Sequence, residues 1–75
     1  MKNTYEKIRK AMRDKEREVL QYLRDNEGEL PIIRSVAWSR AFGRLEDAGM
    51  LRYDRTWPLG STRFIPKRNA RPVTK

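Results

Sequence analysis

The chain has 75 residues, 37% charged and 37% hydrophobic, with 18 Lys and Arg against 10 Asp and Glu and a net charge of +8. It holds no cysteine and no histidine, which excludes disulfides, thiolate chemistry and the commonest zinc ligands. The length suits one small domain, which buries only about 60% of the surface its unfolded form exposes, so the expected core is small. No apolar run approaches the ~18 residues of a membrane span, and no apolar stretch follows Lys2 as in a signal peptide. No membrane partner is therefore expected, and the expected location is cytoplasmic or nucleoid-associated.

The positive charge is uneven. Residues 1–26 carry eight basic and five acidic side chains, residues 27–50 three and four, and residues 51–75 seven and one. A positive field concentrated in one third of a small domain points to an anionic partner, nucleic acid first.

The first expected element is a helix from about Asn3 to Asn26. Asn3 and Glu6 have capping-box spacing, and Tyr5, Ile8, Met12, Val19 and Leu23 recur on one face with the helical period. Lys15 interrupts that stripe. Either the helix is continuous with the lysine stem lying on apolar surface, or it restarts with Asp14 as N-cap; the absence of Gly and Pro favours continuity. Gly28 supplies a left-handed residue to end it. Glu29 to Ile32 is expected to be extended, because the residue before Pro31 avoids the helical region, and a short helical turn is expected from Ile32 to Val36.

A second helix is expected from about Ala37 to Ala48, with Trp38, Ala41, Phe42, Leu45 and Ala48 on its apolar face and Gly49 ending it. Met50 to Trp57 has strand character, Leu51 and Tyr53 alternating with Arg52 and Asp54. Pro58 to Ser61 reads as a turn and Thr62 to Ile65 as a return strand. The stretch 67–75, with Lys67, Arg68, Arg71, Lys75, Pro72 and no acidic residue, reads as a disordered basic tail. The fold class is therefore α+β, mainly α.

The run Ser39-Arg40-Ala41-Phe42-Gly43-Arg44-Leu45-Glu46-Asp47-Ala48-Gly49-Met50-Leu51 resembles the recognition helix and first wing strand of winged helix-turn-helix transcription regulators. The likeness is close over residues 39–51 and loose over 15–66. It implies a winged helix DNA-binding domain over 1–66, with an extended N-terminal helix, a β-hairpin wing and the basic tail 67–75. The second helix of that family has only about eight residues between Gly28 and Val36 to form in.

At 100° per residue the outer face of the second helix holds Arg40, Gly43, Arg44 and Asp47. The resemblance implies that this face enters the major groove, where an arginine can donate two hydrogen bonds to guanine. Ser39, Arg40, Gly43 and Arg44 are the candidate readers. Arg52, Arg55 and Arg63 on the wing, with Lys67 and Arg68 in the tail, are the candidate contacts to phosphates or the minor groove. The alternative for Arg44 is a surface pair with Asp47. Gly43 costs about 1 kcal/mol relative to alanine inside a helix, and either permits close approach to a sugar-phosphate backbone or is merely tolerated.

Trp57 either packs over the core or contacts a partner. Tyr5, Ile8 and Met12 either pack on the domain's own body or form a homodimer interface through the N-terminal helix, and the homodimer is the expectation. The acidic pairs Glu16/Glu18 and Glu46/Asp47 read as solvated beside basic neighbours, which makes them poor metal sites. No catalytic constellation or cofactor motif is present. The sequence thus leads to a double-stranded DNA-binding regulator rather than an enzyme. A module binding RNA or protein, and an architectural DNA binder with little sequence preference, are the competing readings.

Overall fold

The computed structural model describes residues 2–54 and 62–75, with side chains from Thr4 onward. Helix α1 spans Lys2–Asp25 without interruption at Lys15. At its end the left-handed residues are Glu27 (φ 54°) and Gly28 (φ 84°), and the Gly28 amide donates to Leu23 O at 2.7 Å, closing the last turn. Gly28 is needed for a second reason. The backbone of residue 64 crosses it, Phe64 N donating to Gly28 O at 2.9 Å. A Cβ at position 28 would stand 3.0 Å from Ile65 Cγ1 and 3.1 Å from Phe64 N, so the site demands the absent side chain as well as the positive φ.

Residues 29–35 form an irregular connection. The stretch Glu29 to Ile32 forms no strand and the expected helical turn is absent; Ile32 and Ile33 point into solvent. Pro31 removes one backbone donor, and the two isoleucines find no core to cover them. Helix α2 (Val36–Asp47) starts one residue earlier than expected because Ser35 caps it, its Oγ accepting from Trp38 N at 3.1 Å. It ends with Gly49 N on Glu46 O and Met50 N on Leu45 O at 3.0 and 2.9 Å, the paired bonds of a Schellman motif, with Gly49 at φ 74°.

Strands β1 (Leu51–Asp54) and β2 (Arg63–Pro66) pair antiparallel, Leu51 opposite Pro66 and Asp54 opposite Arg63. The hairpin is thus present, while the turn and Trp57 fall in residues 55–61, outside those described. The core is Val19, Leu20, Leu23, Trp38, Ala41, Leu45 and Leu51. Trp38 receives the edge of Tyr22 and stacks on Phe42, both at 5.9 Å between ring centres, and Phe42 meets Phe64 edge-on at 4.9 Å. This aromatic file fastens α1, α2 and the hairpin together.

The C-terminal stretch is not free. It turns at Arg68–Asn69 and runs back along α1: Arg24 donates to Ala70 O at 3.2 Å, and the amides of Val73 and Thr74 donate to Glu16. Ala70 and Val73 pack against the core. The charge count predicted a solvated tail, but only Lys67, Arg68, Asn69, Arg71 and Lys75 are exposed, while Ala70, Pro72, Val73 and Thr74 are partly covered. The neutral residues of the segment supply its docking face.

The N-terminal end of α1 contrasts with this. Tyr5 and Ile8 are 69% and 52% exposed, so the body of the domain leaves them largely uncovered. No helix among the described residues is long and apolar enough to cross a membrane.

Candidate nucleic-acid interface

Core packing fixes the orientation of α2. With Trp38, Ala41 and Leu45 buried, the opposite face presents Arg40, Gly43 and Asp47 outward, with Ser39 to one side. Ser39 and Arg40 are exposed, and a Cβ added at Gly43 would meet no atom within 4 Å. The middle of the helix is therefore bare where an incoming backbone would approach.

Arg44 departs from the expected arrangement. It lies toward α1, its side chain 28% exposed, and its Nε donates to Glu16 Oε2 at 2.7 Å; Asp47 is not its partner. Glu16 in turn is fully buried, where a solvated carboxylate was expected. Its Oε1 accepts from Val73 N and Thr74 N at 2.7 and 2.9 Å, and its Oε2 also accepts from Thr74 Oγ1. Burial by itself pushes this carboxyl up; the Thr74 hydroxyl and amide, the Arg44 guanidinium and the Val73 amide together outweigh it and hold Glu16 below its ordinary value. A buried carboxylate with four donors holds α1, α2 and the C-terminal segment at one point. No buried side-chain nitrogen or oxygen among the described residues lacks a partner.

On the hairpin, Arg52 is exposed on β1. Arg63 is not a free wing cation: its side chain is 14% exposed, and Nη1 donates to Glu27 Oε2 at 3.2 Å, tying β2 to the end of α1. Arg55 lies outside the described residues. Lys67 and Arg68 are exposed, and Lys67 Nζ comes within 4.0 Å of where a Gly49 Cβ would stand, beside the C-terminal end of α2, where a cation is favoured by the helix dipole. Tyr53 OH donates to Glu46 Oε1, so Glu46 too is engaged rather than merely solvated.

Of the nine candidate residues, then, Ser39, Arg40, Gly43, Arg52, Lys67 and Arg68 stand at the surface, whereas Arg44 and Arg63 are held in ion pairs. The residue whose role in placing the site was missed in the sequence is Glu16, through its pair with Arg44. Its one signal is position: at 100° per residue it falls beside Val19, Leu20 and Leu23 on the core side of α1. Among the described residues no group of three or more acidic side chains gathers as a metal site would require. Comparison of the chain with protein-family models, curated proteins and solved structures finds no match.

Proposed function

We infer that the protein binds double-stranded DNA, with the outward face of α2 in the major groove and the cations of the hairpin and C-terminal segment on the phosphates. The observation that carries this reading is the bare face of α2: Arg40 exposed, and open space over Gly43, in a chain of net charge +8. A helix presented this way can enter a groove and place an arginine on a guanine edge.

One observation favours a variant with weak sequence preference. Arg44 is committed to Glu16, which leaves Arg40 as the one arginine of the pair with nothing else to hold. Phosphate contacts would then supply most of the affinity.

The test is selection from a random duplex pool, followed by anisotropy titration of selected and random duplexes across a salt series. Arg40→Ala is expected to cost ~1–3 kcal/mol on a selected duplex and less on random DNA. Lys67→Ala with Arg68→Ala is expected to weaken both alike and to flatten the salt dependence by ~0.9 for each phosphate no longer neutralised. Absence of duplex binding at low salt overturns the reading. If Arg40→Ala and Lys67→Ala act identically, binding is by backbone alone.

A further inference from the structure

Beside the α2 face lies a groove of about 510 Å³, lined by Ile8, Ala11, Met12 and Lys15 of α1 and by Ala37, Arg40 and Arg44 of α2. Four of these side chains are apolar and three are cations. The volume is that of a small-molecule site, and the mixture of apolar walls with few polar groups is what such sites have.

The charges of the lining narrow the occupant. Lys15 pairs with Glu18 at 3.0 Å and Arg44 with Glu16 at 2.7 Å. Arg40 has no such partner among the described residues. The groove thus carries one uncompensated positive charge beside four apolar side chains. A second copy of α1 offers it no counter-charge: at 100° per residue the stripe that helix would present, Tyr5, Ile8, Met12 and Lys15, holds a lysine and no carboxylate. The groove is also short, its α1 wall covering only the two turns from Ile8 to Lys15.

We propose that this groove binds a small monoanionic amphiphile, an apolar chain or ring seated on Ile8, Ala11, Met12 and Ala37 with its carboxylate or equivalent anion on Arg40. The apolar body leaves water, and the anion meets the guanidinium in a charge-assisted hydrogen bond. Binding in the groove needs no DNA. One consequence does rest on the DNA reading: an anion on Arg40 occupies the side chain proposed to read a base, so the ligand releases the duplex.

The probe is decanoate below its micelle concentration, titrated into isotope-labelled protein and followed by amide shifts, with decyltrimethylammonium as the cationic analogue of the same chain. Decanoate is expected to move the amides of residues 8–15 and 37–44 saturably, while those of Val73 and Thr74 stay put. The cationic analogue is expected to do far less. Arg40→Gln should weaken decanoate about fivefold. Ala11→Glu, a helix-compatible change at an exposed position, should abolish it while leaving the Val73 and Thr74 signals intact.

Equal shifts from both probes, shifts spread over the whole surface, or insensitivity to Ala11→Glu overturn the proposal. So does a dimer in sedimentation equilibrium that decanoate does not dissociate, since the groove would then belong to a second copy. Decanoate displacing a labelled duplex supports the regulatory consequence. If decanoate binds and no duplex does, the groove stands and the DNA reading falls; if a duplex binds and decanoate does not, the reverse holds.

Discussion

Between Tyr5 and Met12 the apolar stripe of α1 looks mainly at solvent, whereas between Glu16 and Leu23 the same helix buries Glu16, Val19, Leu20 and Leu23. The two halves share one period and one continuous backbone. What differs is the opposition. The second half is faced by α2, by β2 and by the returning C-terminal segment, and even a carboxylate is buried there because four donors converge on it. The first half shares an open groove with Ala37, Arg40 and Arg44 of α2. Periodicity decides which face of a helix is apolar; the elements laid against that face decide whether it is buried.

The sharpest way to break this comparison is to truncate the stripe in each half. Leu23→Ala should cost about 2–5 kcal/mol, the transfer and cavity terms of a fully buried leucine, read from urea denaturation. If it costs no more than a surface change, the second half is not the core. Arg44→Ala should cost ~1.5–3 kcal/mol in the same experiment, since it removes a charged hydrogen bond from a buried carboxylate. Glu16→Gln combined with Arg44→Ala should recover part of that loss, because the uncompensated buried charge goes with it.

Acid offers a third test. The folded carboxyl of Glu16 titrates below its ordinary value of 4.5, so the unfolded chain takes up the proton first. The stability Glu16 contributes is complete above that ordinary value and is lost as pH falls through the lower, folded one. Thermal melts of the wild type should decline over this window more steeply than those of Glu16→Gln, and parallel curves would show that Glu16 is not the group responsible.

The smallest effects belong to the first half of α1 and the bare face of α2. Tyr5→Ala and Ile8→Ala should stay within about 0.5 kcal/mol of the parent in denaturant. Gly43→Ala has room for its methyl group, so it should stabilise the helix by up to about 1 kcal/mol and yet weaken duplex binding if a DNA backbone approaches there. A variant both stabler and equally tight in binding would show that nothing comes close to Gly43.

The main elements were legible because their signals are local. The apolar period marks α1, Gly49 and its neighbours mark the end of α2, and alternation marks the hairpin. Ser35 as N-cap was equally local and could have moved the start of α2 by one residue. The misreadings share a different origin. Glu16, Arg44 and Arg63 each find their partner more than 25 residues away, and charge counts treat every such side chain as solvated. The C-terminal segment was misread for the same reason, its lysines and arginines outweighing the neutral residues that dock. At 29–35 the family resemblance implied a helix, but one proline and two uncovered isoleucines left no packing to sustain it. For the candidate interface, exposure of Arg40 and Arg52 followed from their placement on outward faces and that of Lys67 and Arg68 from their place in a charged segment, while Arg44 turned inward because its position borders α1.

The ligation of Glu16 by residues 73 and 74 also bears on the order in which the molecule can form. Those contacts close a loop of 57 and 58 residues, among the most costly in chain entropy that so short a domain can make. During synthesis α1 emerges first, yet its buried carboxylate must wait for two of its backbone donors until residues 73 and 74 leave the ribosome. A nascent chain that has not yet released them would hold its helices against a carboxylate with one of its four donors, Arg44, in place. The anchor at Glu16 therefore closes only once residues 73 and 74 are clear of the exit tunnel.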